Sequence, residues 1–289
     1  MRIVFVADLI AAGLDQKLNG PPIKTEKGND HMKLLNTAAG NTKILKSQTG
    51  TEYRIASLSL MPDFKICPNS QNADCFTLCL KSSGRGQMNS VAKGRQNKTD
   101  YWHFDRAGFL AQLKKEIAAF EKLCTKQGKL AAFRLNTISD IPWEKYGIPQ
   151  AFPNSKFYDY CKSANRLGKT PENYDLMFSF SDAPKYQRQV ERALKTDAPM
   201  AVVFRGFVPV GNYFMGREII DGDKSDLKNL RAHGKVVGLK IKGNAATKNS
   251  TSPFIVDPAQ TSPCPSQMHS WCNPHDLASA GRGYAIAAE

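Results

Sequence analysis

The chain has 289 residues, 41% of them hydrophobic, and a formal charge of +14 at pH 7. That apolar share excludes wholesale disorder, and the length allows one large or two modest domains. No apolar run reaches membrane-spanning length, so no membrane partner is expected, while the basic balance favours polyanions such as nucleic acid. The lysines are spread along the whole chain without a dense block, as on a surface that merely keeps a protein soluble.

Residues 1–14 (MRIVFVADLIAAGL) resemble a signal peptide, but Asp8 interrupts the apolar run and Gln16-Lys17-Leu18-Asn19 offers no small-residue cleavage site. The segment is therefore read as a buried strand or helix start, and the protein as intracellular. Residues 15–55 are polar and loop-rich, with a tight turn expected at Gly40-Asn41. Tyr53 to Leu60 alternates apolar and small polar residues, as a strand does, and Met61-Pro62 ends it. After a cysteine-bearing loop, Lys81 to Thr99 is basic and glycine-punctuated. It reads as a solvated loop leading into a short helix, with a phosphate or RNA contact as the alternative.

The spacing predicts a helix from about Arg106 to Gln127, with Asp105 as N-cap and Gly128 where it stops. Phe109, Leu113, Ile117, Phe120 and Cys124 share one face, which makes Cys124 a buried inert thiol. Strand-like runs follow at Leu130–Leu135, Lys156–Tyr160, Tyr174–Phe180, Met200–Phe204 and Lys235–Ile241, with Ala183–Leu194 helical after the third. Strands alternating with helices predict an α/β fold with parallel βαβ units, too short and irregular in spacing for a full eight-fold barrel.

Cysteine usage points to metal chemistry. Seven cysteines in a reducing compartment cannot all pair, which favours ligation over disulfides. Cys67, Cys75 and Cys79 form a C-x7-C-x3-C loop after the first clear strand. Thiolates this close suit an iron–sulfur cluster, whose irons take cysteine sulfur before oxygen or imidazole, and a [4Fe–4S] cluster is expected. Three local ligands leave one iron to be capped by something else. Cys161, at a predicted strand end, is one candidate and a half-buried free thiol is the other reading of it; Cys264 and Cys272 are alternatives. In the Ser/Thr/Pro-rich tail, Cys264, His269, Cys272 and His275 are zinc-type ligands in a C-x4-H-x2-C-x2-H spacing that matches no named motif.

The strand ends carry polar residues: Asn136, Ser139 and Asp140; Asp159; Ser179, Ser181 and Asp182; Arg205; Lys240 and Lys242. Ligands in parallel α/β folds bind at the carboxyl ends of strands. Asp140, Asp159, Asp182 and Arg205 are accordingly expected to line a cofactor or substrate pocket there, although carboxylates at strand ends also serve as loop caps.

A series of short motifs resembles the phage gene product eighty-eight family. They are Gly40-Asn41-Thr42-Lys43, Ser57-Leu58-Ser59-Leu60, Cys67-Pro68 through Cys79, Ser83-Gly84-Arg85-Gly86, Arg134-Leu135-Asn136-Thr137, Ser139-Asp140-Ile141-Pro142-Trp143-Glu144, Phe157-Tyr158-Asp159-Tyr160, Phe178-Ser179, Val202-Val203-Phe204, Ile220-Asp221-Gly222-Asp223 and Val237-Gly238-Leu239-Lys240, and they cover roughly residues 33–245. That resemblance implies a virus-encoded protein in the cytoplasm of an infected bacterium. The layout is also similar to radical S-adenosylmethionine enzymes, with a three-cysteine loop after the first strand, although their usual spacing is C-x3-C-x2-C. This second likeness implies a partial, open parallel (β/α) barrel over residues 51–245, flanked by an N-terminal extension (1–50) packed on the core and a C-terminal tail (246–289).

Three functions are then expected as alternatives. One is a [4Fe–4S] protein with a redox or structural role and a redox partner. Another is an enzyme whose open iron takes S-adenosylmethionine or a small-molecule substrate. The third is a basic nucleic-acid-binding protein with a structural metal site.

Overall fold

The computed structural model describes residues 32–37, 48–79, 84–224 and 226–263. The expected opening strand or helix at 1–14, the turn at Gly40-Asn41 and the group Cys264, His269, Cys272 and His275 lie outside the described residues.

Apolar runs buried on both faces build the sheet. Its strands are β1 (Leu35–Thr37), β2 (Tyr53–Leu58), β3 (Leu130–Arg134), β4 (Lys156–Cys161), β5 (Tyr174–Ser179), β6 (Met200–Phe204), β7 (Tyr213–Phe214), β8 (Arg217–Asp221), β9 (Val236–Lys240) and β10 (Ile255–Val256). The helices are α1 (Asn89–Phe104), α2 (Arg106–Lys126), α3 (Gln187–Leu194) and two single turns, α4 (Asp226–Asn229) and α5 (Ala245–Lys248). The sheet runs β1-β2-β3-β4-β5-β6-β9-β8-β7, with β10 also paired to β6. From β2 to β8 along this order every pairing is parallel; β1 and β7 join the two ends antiparallel.

Alternate side chains go to opposite faces. Ala56, Phe133, Phe157, Leu176, Phe178 and Val202 enter the larger core, against Phe109, Leu113 and Ile117 of α2 and Val190 of α3. Ile55, Ala132, Tyr158, Met177, Ala201 and Val237 form the second, smaller core with Leu230 and Ala232. Helix α2 starts where its cap predicts, the Gly108 amide donating to the Asp105 carboxylate at 2.8 Å, and Cys124 is buried in its apolar stripe.

The expected partial parallel (β/α) barrel is overturned. The described residues form one mixed ten-stranded sheet with few helices, ordered as a line of strands with antiparallel partners at both ends. The physical reason lies in the connections. A barrel needs a helix after each strand to cover its outside. Here the β3–β4 and β4–β5 links carry only short 3-10 turns, Trp143–Tyr146 and Ala164–Arg166. Among the described residues, long helices occur only between β2 and β3. The likeness to radical S-adenosylmethionine enzymes rested on the barrel layout and loses that support.

Candidate functional site

The cysteine loop folds down onto the strand ends. Asp63 opens it: its Oδ1 accepts the Lys65 and Ile66 amides, and its Oδ2 lies 2.7 Å from His103 Nε2. Burial works against the Asp63 charge, but these hydrogen bonds outweigh it and hold the carboxyl below the usual range. A 3-10 turn, Pro68–Ser70, follows Cys67, and Asp74 sits at φ 49°, a left-handed conformation that aspartate tolerates better than most residues. That reversal brings the Cys75 amide to the Ser70 carbonyl at 3.1 Å.

Four hydrogen bonds tie the loop to different parts of the sheet. The Asp140 amide donates to Ile66 O at 2.8 Å, and Asn69 Nδ2 to Lys162 O at 3.4 Å. Ser181 Oγ donates to Ala73 O at 2.7 Å and Ser252 Oγ to Asp74 O at 2.8 Å. The segments after β3, β4 and β5 and the one before β10 therefore all position the cysteines.

The result is a cavity of about 170 Å³ at the carboxyl ends of the parallel strands. Cys67, Cys75 and Cys79 line it, together with Arg134 and Asn136–Ser139 from β3 and its loop, Tyr160 from β4 and Lys162 just past it, Ser179 from β5, Ala201 and Val203 from β6, and Leu239–Lys242 at the end of β9. None of the three cysteines is in a disulfide, and Cys67 and Cys75 are buried. Burial pushes the Cys67 thiol up to about 12 against the pull of the Lys162 ammonium, and raises Cys75 in the same way. Burial disfavours the Lys162 charge, yet the neighbouring Cys75, Cys67 and Asp140 drive its pKa upward. Lys162 Nζ also reaches Ser179 Oγ at 3.4 Å.

The other expected site residues are placed differently. Cys161 precedes Lys162 and so faces the opposite side of the sheet, within the larger core, its Sγ 3.8 Å from Ser163 O; burial raises its pKa strongly. Asp140 takes Arg166 Nη1 at 2.8 Å and the Lys162 amide at 3.0 Å. Asp159 takes the Asn136 amide at 2.7 Å and Tyr174 OH at 2.9 Å. Asp182 accepts Gln187 Nε2 at 3.2 Å, and Arg205 donates to the Lys248 and Ser250 carbonyls. None of these five lines the cavity. The residues that do line it and went unforeseen are Arg134, Tyr160 and Lys162. Period two along β4 was the available signal, since it puts Tyr160 and Lys162 together and Cys161 opposite.

Among the described residues, no group of three or more His, Cys, Asp or Glu side chains is gathered closely enough to hold a metal ion, and no helix is long and apolar enough to cross a membrane. No curated protein and no solved structure matches the chain. A family model described as Gene product 88 matches residues 26–257, most of the sequence, and the chain belongs to that bacteriophage family.

Proposed function

We propose that this phage protein carries one iron–sulfur cluster, of [4Fe–4S] type, which Cys67, Cys75 and Cys79 would hold, and works as a redox protein in the cytoplasm of the infected host. The observation that carries the reading is that one loop supplies three thiols to the wall of one cavity at the strand ends. A cluster is several atoms across, and thiolates hold it from around its edge, as residues lining a wall do. Thiolate ligation makes such a group anionic, and the Lys162 ammonium among the three sulfurs supplies the compensating charge. Cys161 does not line the cavity, so a fourth ligand would come from elsewhere than β4. The cluster supplies electron transfer and Lewis acidity when bound; the chain's own residues anchor it, balance its charge and shape the space beside it.

Serine substitution tests the assignment. Cys67→Ser, Cys75→Ser and Cys79→Ser, each prepared without oxygen, should lose most of their iron, whereas Cys161→Ser should keep it. Iron retained in all three loop variants, or lost from Cys161→Ser while that variant stays folded, would contradict this ligand set.

A further inference from the structure

Two residues that line the cavity each carry a buried donor without a partner. Arg134 Nε and Thr137 Oγ1 are buried without any hydrogen bond, and both residues line the cavity. Arg134 is 8% exposed. Its Nη1 is held at 2.6 Å by Asp226 Oδ2 and its guanidinium lies 4.7 Å from the Tyr160 ring centre, so the group is fixed in place with Nε unused. Leaving a buried donor unsatisfied is costly, more so for a charged group, and a partner that accepts from it is stabilising. Among the described residues no carboxylate lines this cavity, while Lys162, Lys240 and Lys242 do. Apolar wall comes from Ala201, Val203 and Leu239.

The geometry points to a binding site for a small organic anion, a carboxylate or phosphate ester with an apolar body, whose oxygens accept from Arg134 Nε and Thr137 Oγ1 within reach of the Lys162 ammonium. This inference rests on the reading of the cavity as the working site beside the cluster, and it supplies the ligand class that this site would take. Hydrogen bonds to charged groups are the stronger ones, and an orphaned donor gains the most from a partner, so the two donors set the orientation while the lysines contribute attraction.

The test is calorimetric titration of the full-length protein, prepared without oxygen, with inorganic phosphate and separately with acetate. Thr137→Val removes an orphaned hydroxyl, so it should fold at least as well as the parent and bind either probe roughly tenfold more weakly. Arg134→Lys keeps a cation for Asp226 but removes Nε, and should weaken binding at least as much. Tighter binding of phosphate or of acetate identifies which anion the site prefers. No saturable binding of either probe to the parent, or unchanged binding in Thr137→Val, would overturn the assignment. Iron and sulfide are measured in the same samples: anion binding in iron-free protein would leave this site standing and remove the cluster instead.

Discussion

At the scale of single residues, a carboxylate at a strand end can either face the cavity or clamp the backbone. Asp159 does the second: buried, it gathers the Asn136 amide and the Tyr174 hydroxyl. Burial outweighs those bonds and raises its pKa to about 7. The unfolded value is about 3.9, so between about pH 4 and 7 the folded state holds a proton that the unfolded chain has released. The stability this group contributes is therefore full below the lower value and is lost as pH rises through the upper one. Asp159→Asn should flatten that decline in urea unfolding measured across the interval; an unchanged slope would show that Asp159 is ionised in the fold. The same choice explains what could be read in advance. Sequence placed Asp140, Asp159, Asp182 and Arg205 near strand ends; Arg205 directly follows β6, Asp140 and Asp182 lie in the segments after β3 and β5, and Asp159 lies within β4, but position along the chain does not say which partner a side chain finds. The three loop cysteines were legible because their spacing is local. Arg134 was not, because its partner Asp226 lies 92 residues away.

At the scale of elements, legibility followed the strength of local signals. Helix α2 carries a cap, a stop glycine and five buried residues on one stripe, and its limits were readable within a residue or two. Asp105→Ala should cost about 1 kcal/mol in chemical unfolding, the usual worth of such a cap. Helix α1 was foreseen only as a short piece, for it buries only Lys98, Thr99 and Trp102 and has no apolar stripe. Lys98 is held instead by tertiary contact, its Nζ 2.8 Å from Leu34 O. The strands β1, β7 and β10 span two or three residues each, too few to show a period. The β8–β9 pairing, by contrast, depends on close backbone approach. A Cβ on Gly222, just past β8, would stand 2.6 Å from the Gly238 carbonyl oxygen on β9. Gly222→Ala should accordingly destabilise the protein by about 1–3 kcal/mol, read as a lower urea midpoint; an unshifted midpoint would mean that the β8–β9 edge yields easily.

At the scale of the whole molecule, the run β2-β3-β4-β5-β6 places parallel strands in chain order, as a barrel would, which is why the sequence suggested one. The order after β6 departs from that plan: β9 takes the next place and the β7–β8 hairpin lies beyond it. Nothing local in the sequence says that a later strand will insert there. The parallel edge nevertheless does what such edges do, gathering loops from several strands around one cavity and presenting the cysteines to it. Basic side chains around those sulfurs suit an anionic inorganic group and an anionic ligand beside it. The most direct measurement is iron and acid-labile sulfide content of the full-length chain purified without oxygen, with electron paramagnetic resonance after reduction. The account predicts brown protein with about four irons and four sulfides per chain and a signal of a reduced [4Fe–4S] cluster. Colourless protein, or stoichiometric zinc in place of iron, would contradict it.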